Sequence, residues 1–154
     1  MHKKTQGTFA ALLLFVALAA RADAPPPLPS VDDGQVVNMT DVKWAAFKPP
    51  EGSPIAPGIT VSGVAGNAQT GPSVAYAKYP PGYAFPAHWH SFTEYTVLIK
   101  GTEQFTVGGK TYTLTAGAYV VIPPKAVHSV TCTKDSECIY LIRRAGAVDY
   151  HFEK

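Results

Sequence analysis

Beyond residue 58 the apolar positions recur in short runs rich in valine, isoleucine, threonine and aromatic residues, each cut off by glycine, proline or a polar cluster. No window sustains the 3.6-residue apolar period of an amphipathic helix, whereas short β-rich runs bounded by turn residues mark strands. The pattern predicts strands at 59–64, 73–79, 85–90, 94–100, 103–107, 110–114, 118–122, 126–132 and 137–143, with 148–152 closing the set. Gly108-Gly109 separates two alternating runs by two residues that tolerate positive φ, so 103–107 and 110–114 should pair as a tight hairpin. Many short strands at even spacing, with no internal repeat, indicate an all-β sandwich or closed barrel rather than a helical or βαβ fold.

The first residues break this pattern. Met1-His2-Lys3-Lys4 is a short basic start, residues 9–20 are an unbroken apolar run, and Ala20-Arg21-Ala22 fits an A-x-A cleavage signal. The apolar run is well short of the roughly 20 residues that span a bilayer, so residues 1–22 read as a secretory signal peptide cut after Ala22, in preference to an uncleaved anchor or a buried helix. Residues 23–38, with Pro25-Pro26-Pro27-Leu28-Pro29, read as a flexible proline-rich arm, and 39–154 as the folded domain. A chain of 154 residues and 46% hydrophobic content suits one such domain.

Composition changes the picture once the leader is removed. Loss of Lys3, Lys4 and Arg21 leaves ten basic residues against eleven acidic ones, so the basic balance belongs to the leader. A near-neutral domain without a basic cluster offers no electrostatic footprint for nucleic acid, nor for a membrane after signal cleavage. The expected location is periplasmic or secreted. In such a compartment Cys132 and Cys138 should form a disulfide, and the polar Thr-Lys-Asp-Ser-Glu between them suggests a staple across a hairpin loop.

The candidate chemistry lies in 82–101, which holds His88, His90 and Glu94. On a strand His88 and His90 point to the same face with Trp89 opposite, and on the next strand Glu94, Thr96 and Leu98 share one face. His128, at the start of another apolar run, supplies a third imidazole, and three nitrogens with one oxygen make a transition-metal shell. The competing reading is a hydrogen-bonded polar lining without metal, with Glu94 merely orienting one ring. His151 reads as a tail residue, Tyr76, Tyr119 and Tyr140 as core or sheet-face groups, Trp44 and Phe92 as packing groups, and Lys78 and Lys100 as solvated charges.

Gly82-x5-His88-x-His90-x3-Glu94-x6-Gly101 resembles the first motif of the cupin superfamily position for position. The second motif is matched at Gly117, Pro123 and His128, but Lys125 stands where the family usually has glycine and Cys132 where it often has asparagine. The resemblance covers residues 44–151 and is greatest to small secreted cupins of one barrel with an acidic-aromatic C-terminal tail. It implies a double-stranded β-helix, or jelly-roll barrel, of a kind often found as a homodimer. It further implies that His88, His90, Glu94 and His128 bind one divalent transition metal in the barrel mouth, with one or two positions left for water, dioxygen or substrate.

Imidazole suits Fe, Mn, Ni, Cu and Zn alike, so the ligands leave the metal's identity open, together with oxygenase, isomerase and hydrolytic chemistries. A 2-oxoglutarate oxygenase is disfavoured, because an exported enzyme lacks that cosubstrate. The only mature arginines, Arg143 and Arg144, also face opposite ways on their strand. A nucleotide-sugar epimerase is disfavoured because no basic set holds a diphosphate. The expectation is a dioxygenase-like or related metalloenzyme acting on a small, aromatic or enolic molecule; the alternative is a noncatalytic, metal-dependent module that binds or senses a small ligand.

Overall fold

The runs of alternating residues become strands in a computed structural model that describes residues 35–153. The leader and most of the arm lie outside the described residues. In chain order the strands are β1 (Ala45–Ala46), β2 (Thr60–Gly66), β3 (Ser73–Tyr79), β4 (Ala84–Trp89), β5 (Glu94–Lys100), β6 (Thr102–Val107), β7 (Lys110–Thr115), β8 (Tyr119–Ile122), β9 (His128–Cys132), β10 (Cys138–Arg144) and β11 (His151–Phe152). The only helix among the described residues is a 3-10 turn at Met39–Asp41. Two antiparallel sheets result, one ordered β1-β2-β3-β10-β5-β8 and the other β11-β4-β9-β6-β7. Successive strands alternate between the sheets over much of the chain, as in a jelly roll.

Turn chemistry sets the strand ends. Gly108 and Gly109 take φ of 56° and 75°, and the β6–β7 hairpin they close pairs in the expected register, Val107 opposite Lys110. Gly101 takes φ of 95°, and a Cβ there would sit 2.6 Å from the Glu137 carbonyl oxygen and 3.0 Å from Cys138 Sγ. Only glycine meets both demands at once. The motif glycine is thus required by the packing of the β5–β6 turn against the start of β10.

Side chains from both sheets fill the interior. One cluster gathers Ala77, Leu98, Cys132, Cys138, Tyr140 and Ile142, the other Ile55, Ile59, Tyr83 and Phe85. Cys132 and Cys138 are joined, with Cα atoms 5.8 Å apart. β9 and β10 belong to different sheets, so the bridge ties one sheet to the other, and the expected hairpin between them does not form. The short polar loop spans the gap between layers because β10 is claimed on both sides, by β3 and β5.

Candidate metal centre

The ends of four strands meet at one rim. β4 ends there, β5 begins with Glu94, β9 begins with His128, and β10 ends at Arg144. Alternation alone would put Phe85 and His88 on opposite faces of β4. The β4–β9 register shifts between Phe85, opposite Val130, and His88, opposite His128, so three residues of β4 span the length of two on β9. This bulge at Pro86-Ala87 turns His88 inward beside Phe85, their ring centroids 4.6 Å apart. Proline suits the site, since the ladder is broken there and needs no N–H donor.

All four predicted residues are buried. His88, His90 and His128 offer ligand atoms that all lie within 4.8 Å of one another. Each ring is held from behind by a backbone carbonyl. Nδ1 donates to the Pro86 oxygen from His88 (2.8 Å), to the Ala126 oxygen from His128 (2.9 Å), and to the Asp149 oxygen from His90 (2.5 Å). A carbonyl oxygen only accepts, so Nδ1 carries the proton in every ring and each Nε2 presents a lone pair. The Nε2 atoms of His88 and His90 nevertheless face each other at 3.2 Å.

Two lone pairs at that separation repel unless a cation lies between or beside them. Protonating His88 or His128 is opposed by its surroundings. Burial, with His128 close by, lowers the pKa of His88 to about 3, and burial likewise lowers that of His128. A metal-free lining of neutral rings would need an Nε2–H on one ring, which would turn its Nδ1 lone pair against a carbonyl oxygen. The donor set therefore fits a metal: three imidazoles, each fixed through its far nitrogen in the manner usual for metal-bound histidine.

Glu94 lies at the edge of this group, outside the compact set of three, with Oε2 3.5 Å from His90 Nε2 and 2.7 Å from Arg144 Nε. The contact with Arg144 is close but poorly aligned, leaving both atoms buried without a directed hydrogen bond. Burial opposes ionisation of Glu94, but Arg144 and then the three histidines outweigh it and hold the carboxyl below its ordinary range. An anionic oxygen with unused acceptor capacity beside three imidazoles is the group a metal would complete.

Sequence reasoning passed over three groups that shape the site. Arg144 shares its parity on β10 with buried Tyr140 and Ile142 and turns inward, while Arg143 lies outside with its guanidinium 5.1 Å from the Tyr95 ring centroid. Strand parity carried that signal. Tyr150 covers the histidines, its ring 5.3 Å from His90 and 5.7 Å from His88, and Tyr79 lines the chamber behind them. Tyr150 lies in a tail that has no periodicity to read. Its neighbour Asp149 fixes the approach of the tail by accepting from Ser91 N at 3.0 Å. His151 stacks outside on Trp89, centroids 3.8 Å apart, away from the metal group.

Two cavities adjoin the histidines. The inner one, about 30 Å³, is bounded by His88, Glu94, His128 and Glu103 and has room for about one water molecule. The outer one, about 450 Å³, opens towards β1–β3 and the tail. Tyr79, Phe85, Ile142, Arg144 and Tyr150 line both.

The cupin domain family model matches residues 75–142, a span that holds all three histidines and Glu94 and stops short of Arg144 and Tyr150. Among solved structures, the chain is similar to an RmlC-like cupin from Shewanella frigidimarina, at 16% identity and a TM-score of 0.56, over 73% of this chain and 89% of that one. It is also similar to the polyketide cyclase RemF from Streptomyces resistomycificus, at 16% identity and a TM-score of 0.64, over 79% of this chain and 86% of that one. A predicted oxalate decarboxylase from Thermotoga maritima gives 18% identity and a TM-score of 0.58, over 71% and 96%. None of the curated proteins matches the sequence. The chain thus matches the cupin domain model over its central strands and has the jelly-roll fold of these structures, with three histidines positioned to hold a metal ion.

Proposed function

We propose that this protein is an exported cupin that binds one divalent transition metal through His88, His90 and His128, with Glu94 as the fourth ligand, and acts as a metalloenzyme on a small molecule. The observation that carries this reading is the convergence of three Nε2 lone pairs, each ring locked by an Nδ1–H to a backbone carbonyl. A metal bound there would supply Lewis acidity, with open positions for dioxygen or a chelating substrate, the basis of dioxygenase-like chemistry. The remaining work falls to the chain's own residues. Arg144 keeps Glu94 ionised, Asp149 orients the His90 ring, and Tyr150, Phe85 and Tyr79 exclude bulk water from the chamber. The disulfide agrees with an oxidising compartment reached through cleavage after Ala22.

Elemental mass spectrometry of the mature protein, purified without chelator or added metal, tests the site. About one transition metal per chain is expected, lost in His88→Ala and His128→Ala. A wild-type protein that is metal-free and refuses Mn, Fe, Ni, Cu and Zn would defeat it. Oxygen uptake with chelating enols or diols separates an enzyme from a metal-dependent binding module, which would bind such ligands without turnover.

A further inference from the structure

The outer cavity is walled by apolar groups, among them Phe47, Ile59, Val61, Ala75, Tyr76 and Ile142, and its 450 Å³ lies within the range of about 300–1,000 Å³ usual for small-molecule sites. Three charged side chains border it: Lys48, Asp149 and Arg144. Lys48 is exposed at the rim. The Asp149 carboxylate is occupied by Ser91 N and by His151 Nε2 at 3.1 Å. Arg144 stands at the inner end, where the two cavities share a wall. Its contact with Glu94 is made by Nε at 2.7 Å, and its guanidinium lies 6.0 Å from the Tyr150 ring centroid. A guanidinium is always charged and offers a planar fork of five donors, of which the Nε contact with Glu94 uses one, so Arg144 at the wall of an apolar cavity is a seat for a planar oxyanion.

We infer that the outer cavity with Arg144 binds a small carboxylate with a planar, apolar body, its head on the Nη end of Arg144 and its body against β2, β3 and Tyr150. One inner arginine, with a lysine only at the rim, suits a single negative charge better than a phosphate or diphosphate. The head would lie at the wall the two cavities share, on the outer side of Arg144 from Glu94, so the inference names the substrate class of the proposed metalloenzyme and in that respect rests on that reading; binding itself needs only the cavity and Arg144.

The test is calorimetric titration with benzoate, benzamide and acetate, on metal-loaded and chelator-stripped protein. Benzoate should bind saturably in both forms, with benzamide, which lacks the charge, and acetate, which lacks the body, about tenfold weaker or more. Arg144→Lys keeps a cation for Glu94 but loses the fork, and Ala75→Phe fills the apolar end while leaving the Arg144 and Glu94 side chains themselves unchanged. Each should cost benzoate about tenfold in affinity, while both variants keep the wild-type circular dichroism spectrum. Benzamide binding as well as benzoate, or Arg144→Lys binding benzoate as wild type does, would overturn the inference. So would benzoate binding that vanishes on stripping, since the metal would then be the anion's partner. His128→Ala separates the two proposals, because it should lose metal and retain benzoate.

Discussion

Lys125 adopts φ of 65°, the one non-glycine residue in the left-handed region among the described residues. It follows Pro123-Pro124 in a turn closed by Ala126 N donating to the Pro123 oxygen at 3.2 Å, an arrangement in which Pro at the second position and glycine at the third are favoured. Its own N–H donates to the His90 oxygen at 2.9 Å, so the strained turn helps hold the loop that carries His90. Placing a side chain in that region costs about 1–2 kcal/mol, partly offset because glycine has more freedom to lose on folding. Lys125→Gly should therefore raise unfolding stability by up to about 1 kcal/mol in urea titration, with metal content unchanged. At this scale the histidines were legible because metal chemistry needs those side chains at those spacings. Arg144 and Tyr150 were not singled out: an arginine at the end of a strand and a tyrosine in a tail look the same whether they face solvent or a cavity.

The strands themselves were legible because alternation and glycine–proline punctuation are local properties, and β3 and β5 fall on the predicted residues. Partnership between strands was not, because it is decided by distant segments. Sequence proximity suggested a β9–β10 hairpin across the disulfide, yet each strand finds other neighbours and the bridge links the layers. The bulge in β4 is likewise invisible until β9 lies alongside it. The bridge sits at the end of β9 away from His128, and both of its cysteines are fully buried. Closing so short a loop is worth about 2 kcal/mol on the chain-entropy model. Reducing the bond should lower stability by about that amount in chemical denaturation, and metal stoichiometry should not change. Loss of metal on reduction would show that the two ends of the barrel are coupled.

For the whole molecule, neutral histidines in the interior tie stability to pH. The unfolded chain takes up a proton on His88 near its ordinary value of 6.5, whereas the folded, metal-free protein resists until about 3. His128 shifts the same way, and Glu94, held low chiefly by Arg144 against its burial, adds the same sign at lower pH. Between those limits the unfolded state binds more protons, so stability is full above pH 6.5 and falls on acidification, by roughly 1.4 kcal/mol per pH unit for each histidine fully protonated only when unfolded. Urea midpoints of chelated protein from pH 7.5 to 5 should show that decline, and His88→Gln should make it shallower. A flat profile would mean that the histidines titrate alike in both states.

The carbonyl that locks the His90 ring belongs to Asp149, and Arg144 ends the strand lodged between β3 and β5. A polypeptide is made from its N-terminus, so His88 and His90 emerge long before the residues that aim and complete them. An unfinished or clipped chain ending before Arg144 would carry every histidine of the metal group yet lack the central strand and the clasp. Any ion that the three histidines hold would thus be gripped firmly only after the segment from Arg144 to Asp149 has been added behind them.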